Sequence, residues 1–225
     1  MPYGYRRRYR RRRRYKRKAR RSVGFLDRKY STKDIALSAW KSAKWLASVV
    51  NVEKKFNTID FNAAVSTSGN IQILNAMDTG DTASTRDGNS IRGQSLRVSG
   101  EMSWNTAGAK ANGCRVLLIA DNQQVADSDP TLTELFGSST PALYANLNPL
   151  TVGRFSVLKD FVLYQDANVP RKKWSFYVKT NKHVRFNGTS AADIQKGGLY
   201  MVVYSNEATN TPTVKYASIY RYVDN

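Results

Sequence analysis

The stretch Gln94-Ser-Leu-Arg-Val-Ser-Gly-Glu-Met-Ser-Trp-Asn105 decides the fold class, because its side chains alternate between apolar and polar types. In an extended chain one face would carry Leu96, Val98, Met102 and Trp104, and the other would carry Arg97, Ser99, Glu101 and Ser103. This period of two predicts a β-strand with one face in a core and one face in water. Gly100 interrupts the apolar face and indicates a bulge at that point.

Seven more segments share this character, since they are rich in β-branched or aromatic residues and are bounded by turn residues. They are 51–62, 70–76, 114–121, 153–165, 171–187, 198–206 and 213–223. Together with 94–105 they make eight candidate strands, so residues 51–225 are predicted to form one all-β domain.

The last of these strands has two different faces. One face carries Tyr216, Ser218, Tyr220 and Tyr222, and the other carries Ala217, Ile219, Arg221 and Val223. The second face is mostly apolar, so we expect it to meet the core. The tyrosine face is amphipathic, which is typical of a strand that is half wet or that meets a partner.

Two long polar connections, 77–93 and 122–152, are expected to carry binding surfaces. In the second, Asp129 fits as the N-cap and Pro130 as the first residue of a helical turn. The acids of these loops are weak candidates for a calcium site at a subunit contact: Asp78, Asp81, Asp127 and Asp129. Their spacing matches no EF-hand, and solvated loop acids are the more usual interpretation.

The charge of the chain is concentrated at its N-terminus. The formal net charge is +19, and residues 1–21 supply +13 of it without a single acid. The basic residues are Arg6, Arg7, Arg8, Arg10, Arg11, Arg12, Arg13, Arg14, Lys16, Arg17, Lys18, Arg20 and Arg21. Like charges at this density repel and bury no apolar area, so this arm is predicted to be disordered until a polyanion neutralises it.

The composition of the arm favours nucleic acid as that polyanion. Arginine outnumbers lysine by eleven to two, and its planar fork grips two phosphate oxygens at once. Four tyrosines that can stack on unpaired bases interrupt the arginines: Tyr3, Tyr5, Tyr9 and Tyr15. A nuclear-import signal, a heparin-type patch and an anionic-membrane patch are the alternatives, and import is compatible with nucleic-acid binding.

Residues 1–30 are therefore interpreted as the arm and a short bridge, and residues 31–50 as an amphipathic helix. Ser31 and Asp34 have the spacing of a capping box. One apolar stripe at helical spacing contains Ala36, Ala39, Trp40, Ala43, Leu46, Ala47 and Val50. Lys33, Lys41 and Lys44 are its basic residues. Either the helix packs on the body with these lysines in water, or its basic side also contacts nucleic acid.

The sequence offers little for catalysis, cofactors or membrane insertion. Cys114 and His183 are single, so a disulfide within the chain and a cysteine- or histidine-rich metal site are improbable. We expect Cys114 in a core and His183 at the surface. There is no P-loop, no nucleophile elbow, no apolar run of roughly eighteen residues and no secretory signal. The chain is expected to be soluble, intracellular when made, and not an enzyme.

Several motifs resemble those of viral capsid proteins. The start, Met1-Pro-Tyr-Gly-Tyr-Arg-Arg-Arg-Tyr-Arg10, is similar to that of circovirus and cyclovirus capsids. The body resembles capsids of small circular single-stranded DNA viruses that share a fold with satellite plant-virus coat proteins. The matching pieces, in family order, are Val50-Asn-Val-Glu-Lys-Lys55, Gly88-Asn-Ser-Ile-Arg-Gly93, Arg115-Val-Leu-Leu-Ile-Ala-Asp-Asn-Gln123, Pro130-Thr-Leu-Thr-Glu-Leu, Arg154-Phe-Ser-Val-Leu-Lys-Asp160 and Arg221-Tyr-Val-Asp224.

The resemblance implies a single jelly roll of eight antiparallel strands, preceded by the disordered arm and the short helix. It implies an icosahedral (T=1) shell of about sixty identical copies that encloses single-stranded DNA, or RNA after expression in a foreign host. The expected locations are the virion and, during assembly, the host nucleus, with host import receptors as partners. Candidate aromatic contacts between subunits are Trp104, Trp174, Tyr144, Tyr164 and Tyr220, each of which fits a core position equally well.

Overall fold

The structure, a computed structural model, describes residues 32–49, 54–105, 107, 111–124 and 128–224. Within them lie helices α1 (Thr32–Val49) and α2 (Leu132–Phe136). The strands are β1 (Lys54–Ala64), β2 (Asn70–Ile73), β3 (Ser90–Ser103), β4 (Ala111–Asp121), β5 (Phe155–Asp166), β6 (Arg171–Lys179), β7 (His183–Phe186), β8 (Ile194–Lys196), β9 (Gly198–Ser205) and β10 (Thr213–Asp224). The chain divides into two compact units, Met1–Asn51 and Val52–Asn225.

The strands of the second unit form two antiparallel sheets. The first sheet has the order β1-β10-β3-β7-β8, and β6 also pairs with β3. The second sheet has the order β2-β9-β4-β5. Because β6 and β7 pair with successive parts of β3, they occupy one strand position between them. Each sheet then has four principal strand positions, which is the jelly-roll topology that the resemblance implied.

The predicted strands are confirmed as elements, although their ends differ. Each of the eight predicted segments contains a strand, and 171–187 divides into β6 and β7 around Asn181, whose φ is 41°. The three-residue strand β8 was not predicted. β3 begins at Ser90 instead of residue 94, so Gly93 lies within the strand. A glycine is needed there because an added Cβ would clash with the hydroxyl of Tyr220.

The main core lies between the two sheets. It contains the inward side chains of β3, such as Leu96, Val98 and Met102, and it continues into β4 and β9. In β9 every residue is buried, and in β4 every residue after Ala111 is buried, whereas β3 and β10 largely alternate between buried and exposed positions. The first sheet therefore has one solvent-exposed face, and the centre of the second sheet is buried on both faces.

The predicted orientation of the last strand is wrong. In β10 the tyrosine face is the buried one, and Ala217, Ile219 and Arg221 are exposed. Tyr222 donates from its hydroxyl to the carbonyl of Thr85 at 2.9 Å, while Tyr216 stacks on Phe61. Large rings with a hydrogen-bonding tip can fill a core, whereas the free charge of Arg221 cannot be buried without a partner.

The predicted bulge at Gly100 is also wrong. The pairing of β3 with β10 and with β6 passes through Gly100 without a shift, and the irregularity of β10 lies between Arg221 and Tyr222. A Cβ at Gly100 would lie 2.5 Å from Cζ2 of Trp174. The glycine therefore makes room for an indole ring in the core.

The helical turn in the long second loop is confirmed as α2, but its predicted cap is wrong. Thr131 is the N-cap: its hydroxyl accepts from the backbone of Glu134, whose side chain accepts from the backbone of Thr131. This capping box satisfies two backbone donors, which Asp129 two residues earlier does not do. Gly137, with φ 75°, ends the helix in the left-handed conformation.

The first helix, α1, lies where the amphipathic helix was predicted. Its side chains are exposed from Lys33 to Leu46, and the Nζ of Lys44 lies 4.1 Å from the ring centroid of Trp40. No helix in the described part of the chain has the length and apolar character needed to cross a membrane.

Candidate nucleic-acid interface

Most of the predicted binding residues lie outside the described residues. These are the thirteen basic residues of positions 1–21 and the four arm tyrosines Tyr3, Tyr5, Tyr9 and Tyr15. Lys33, Lys41 and Lys44 are described, and all three are exposed on α1. Their role in binding stays a prediction.

The exposed face of the first sheet carries many more bases than acids. We call it the outer face, and it consists of the side chains of β1, β10, β3, β6, β7 and β8 that point away from the core. Its ten bases are Lys54, Arg92, Arg97, Arg171, Lys173, Lys179, Arg185, Lys196, Lys215 and Arg221. Its two acids are Asp60 and Glu101. The outer face therefore has a net charge of +8, whereas residues 22–225 as a whole have +6.

The strand register sets the neighbours of the central arginines. Arg97 lies opposite Ile219 of β10 on one side and Tyr177 of β6 on the other. Arg221 lies opposite Phe56 of β1. Directly opposed residues have Cβ atoms about 4.5–5.5 Å apart. Both arginines are thus within reach of an exposed aromatic ring, since Tyr177 is 55% exposed and Phe56 is 47% exposed.

The two acids of the outer face are grouped at one end. Glu101 lies between Lys215 and Lys173 in the register, and Asp60 is opposite Ala217. This end forms a shallow groove of about 490 Å³. The other end, towards the start of β1, contains no acid, so its positive charge is not offset within the face.

The second sheet differs because its own chain covers it. Leu132 and Leu135 of α2, together with Leu143, pack on Tyr200 and Tyr204 to form a second apolar cluster. Across this side the charged groups are paired. Arg115 donates to both carboxylate oxygens of Asp160, at 2.9 and 2.7 Å, and Arg154 binds Asp121 and Glu134.

These ion pairs hold the segment 132–145 against the second sheet. The guanidinium of Arg115 also donates to the carbonyl of Ala145 at 2.7 Å and to the hydroxyl of Tyr204 at 3.1 Å. Its hydrogen bonds to Asp160 raise the pKa of Arg115 above the ordinary range, against the opposing effect of burial. Arg115 and Arg154 are therefore committed to internal contacts and are not available to a ligand.

A buried arginine that the sequence did not single out fixes the loop between β2 and β3. Arg86 is fully buried, and its guanidinium donates to the carbonyls of Met77, Gly88 and Gly188. It also lies 4.0 Å from the ring centroid of Phe186. The only sequence signal was a lone base in a loop rich in Asp and Gly, which does not reveal burial.

A second network joins the first and last strands. The Nζ of Lys55, which is buried, lies 2.9 Å from Asp87 and 3.4 Å from Asp224. The carboxylate of Asp224 also accepts from the backbone of Asp87 at 2.6 Å. The ends of β1 and β10 are thereby tied to the loop that Arg86 fixes.

The calcium candidates are not brought together by the described structure. Asp78 accepts from the backbone of Ala191 at 2.7 Å, Asp81 is exposed, and Asp127 lies outside the described residues. Asp129 is placed near Tyr200. Within the described ranges there is no group of three or more acidic, histidine or cysteine side chains arranged to hold a metal ion.

The two single residues lie apart from each other. Cys114 is buried between the sheets, and burial raises the pKa of its thiol to about 12. His183 is exposed in β7. Both positions confirm the predictions for these side chains, and the structure does not bring the thiol and the imidazole together.

The five aromatic candidates for subunit contacts differ in their exposure. Tyr220 is in the core. Trp174 packs against the core and stacks on Phe176. Trp104 is half-buried. Tyr144 and Tyr164 are exposed, and their hydroxyls are 2.8 Å apart. Among these candidates, the Tyr144–Tyr164 pair is the one most available to a second copy.

A family model described as satellite tobacco necrosis virus coat protein matches residues 28–224. The chain belongs to this family of viral coat proteins. The resemblance to viral capsid proteins is therefore confirmed, and so is the jelly-roll fold that it implied.

Comparison with solved structures finds weaker likenesses. A BFDV capsid protein crystallised as a 60-mer is 9% identical, over 76% of this chain and 90% of that chain, with a TM-score of 0.28. The VP2 subviral particle of infectious bursal disease virus is 13% identical, over 76% of this chain and 41% of that chain, with a TM-score of 0.14. No curated protein matches the chain.

Proposed function

We propose that this coat protein assembles into a closed icosahedral shell of about sixty copies and packages single-stranded DNA through its arginine arm. The observation that carries the proposal is the arm itself, with thirteen bases and no acid in twenty-one residues of a viral coat protein. The division of the chain into two compact units supports separate roles for the N-terminal segment and the jelly roll.

The charge of such a shell suits a small genome. About sixty arms would carry about 780 positive charges, and about sixty whole chains would carry about 1140. Charges in these numbers balance the phosphates of a genome on the order of one to two thousand nucleotides, within a factor of two. Free subunits, each at +19, repel one another, and nucleic acid removes that repulsion. Packaging and assembly are therefore coupled.

Arginine-rich segments of this kind also serve as import signals. The same arm would direct the free subunit to the host nucleus through import receptors and bind DNA there during assembly. Phosphate contacts carry no sequence information, so the packaged strand would be RNA after expression in a host that supplies mainly RNA.

The test is electron microscopy of the purified full-length chain, together with its ratio of absorbance at 260 and 280 nm. Uniform closed particles with a nucleic-acid-like ratio are expected. Small soluble species that bind nucleic acid without closing would instead identify a basic binding module that does not form a shell.

Two variants separate the role of the arm from that of the body. Deletion of residues 1–21 should abolish packaging while the body stays folded, as judged by circular dichroism. A matched control that replaces the eleven arm arginines with lysine keeps the charge but removes the planar fork, and it should package with lower affinity. Enclosed DNA in the deletion variant at physiological salt would contradict the assigned role of the arm.

A further inference from the structure

The outer face of the first sheet is a large strand surface that the other described residues of the second unit leave uncovered. The outer face has a net charge of +8, whereas residues 22–225 together have +6. The residues of 22–225 that lie outside this face therefore carry more acids than bases. Arg97 and Arg221 are exposed and form no salt bridge with a described residue. A surface with this charge and without internal partners is expected to attract an anionic ligand.

We propose that the acid-free end of the outer face is a second binding surface for single-stranded nucleic acid, in addition to the arm. We call it the basic-aromatic end. It consists of Lys54, Phe56, Arg92, Arg97, Tyr177, Lys179, His183 and Arg221. The proposal rests on the proposed packaging function, because it assigns a further surface to the same polyanion.

The chemistry of the basic-aromatic end favours single strands. Guanidinium groups bind phosphate oxygens two at a time, and exposed rings stack on bases that have no pairing partner. Arg97 has Tyr177 beside it, and Arg221 has Phe56 beside it, so phosphate and base contacts alternate across the sheet. A duplex would present phosphates to the arginines but no free base to the rings.

The arm is linked covalently to the strand that borders this surface. Lys54 is the first residue of β1, and four residues separate it from the end of α1 at Val49. The segment that carries the arm therefore joins the sheet at the basic-aromatic end. Nucleic acid held by the arm is at a high local concentration at the second surface, which strengthens binding without any further contact.

The first experiment is photocrosslinking of the full-length chain to a thymidine oligonucleotide of about twenty residues that contains 5-iodouracil, with sites mapped by mass spectrometry. Crosslinks to Tyr177 or Phe56 in addition to the arm are expected. Crosslinks confined to the arm would overturn this inference and leave the proposed function intact. Absence of crosslinks anywhere would contradict both.

The second experiment removes two charges from the outer face of the full-length chain. Arg97→Gln with Arg221→Gln is compared with Lys159→Gln with Lys172→Gln, which removes two exposed charges that do not belong to the outer face. Binding of the same oligonucleotide is measured by fluorescence anisotropy across a salt series. Loss of two phosphate contacts should lower the slope of log Kd against log salt by about 1.4 in the first variant only.

Equal slopes in the two charge variants would overturn the inference. Loss of particle formation by the Arg97/Arg221 variant with an unchanged slope would also overturn it, because the face would then contact an acidic surface of a second copy. Base stacking is tested by Tyr177→Ala against Tyr144→Ala, which removes a ring that is 71% exposed elsewhere. Affinity should fall about tenfold in the first and stay unchanged in the second.

Discussion

Replacement of Gly100 with alanine should destabilise the jelly roll, because the added methyl group has no space. Its Cβ would lie 2.5 Å from Cζ2 of Trp174 and 2.7 Å from the carbonyl oxygen of Lys215. The second contact is with backbone at the centre of the sheet, which cannot rotate away. Insertion of a methyl group into a filled core typically costs about 1–3 kcal/mol, and we expect the upper half of that range.

The assay is urea denaturation of full-length subunits at a salt concentration that keeps them free of nucleic acid, followed by tryptophan fluorescence. Gly153→Ala is the matched control, because no atom lies within 4 Å of its added Cβ. That variant should be neutral or more stable by about 0.4–1 kcal/mol, since alanine restricts the unfolded chain. Equal stability of the two variants would refute the steric reasoning.

A compensating change identifies the indole as the obstacle. Trp174→Phe removes Cζ2, and the indole Nε1 has no hydrogen-bond partner among the described residues, so none is lost. The free energy of unfolding of the double variant should exceed the additive expectation by about 1–2 kcal/mol. If the losses in unfolding free energy were strictly additive, the added methyl group would not be in contact with the indole ring.

Two further predictions concern the charged groups that hold the loops. Arg86→Met should lose about 3–5 kcal/mol in urea denaturation, because it leaves one buried and two partly buried carbonyls without a donor. The exposed control Arg92→Met should change stability by less than about 0.5 kcal/mol. A loss below about 1 kcal/mol for Arg86→Met would contradict its assigned role. Burial alone would raise the pKa of Glu134, but the hydrogen bond from Thr131 and the charge of Arg154 outweigh burial and hold that pKa below its usual value. The ionised form of Glu134 therefore stabilises the fold above its unfolded-state pKa, and this effect is lost as pH falls through the lower folded-state pKa. The loss of stability caused by Glu134→Gln should accordingly be larger at pH 7 than at pH 3. A deficit that is the same at both pH values would count against this.

The sequence predicted the strands well because apolar periodicity is a local signal. Strand ends were less accurate, because Gly93 was interpreted as part of a turn. Its close approach to Tyr220, a residue 127 positions away, is a tertiary constraint that no local pattern contains.

The orientation of β10 shows where hydropathy misleads. A row of tyrosines was interpreted as the half-wet face, and the row with Ala217 and Ile219 as the core face. Arg221 in the second row was the better guide, because a free charge is not buried without a partner. The hydroxyl of Tyr222 could be buried because the carbonyl of Thr85, a residue distant in sequence, accepts its hydrogen bond.

The candidate site was only partly predictable. The arm is visible in the sequence because its charges are consecutive. The outer face is not, because its ten bases are distributed over six strands and are separated by core residues. Only the register, which places Arg97 beside Tyr177 and Arg221 beside Phe56, brings them into one surface.

The position of β10 between β1 and β3 has a consequence for biosynthesis. Paired residues such as Lys54 and Val223 are 169 positions apart, so the first sheet lacks a central strand until residues 213–224 have left the ribosome. Contacts this distant in sequence slow folding. The basic residues of positions 6–21 precede every strand in the sequence and are translated before them. Nascent chains can therefore touch polyanions long before a jelly roll exists.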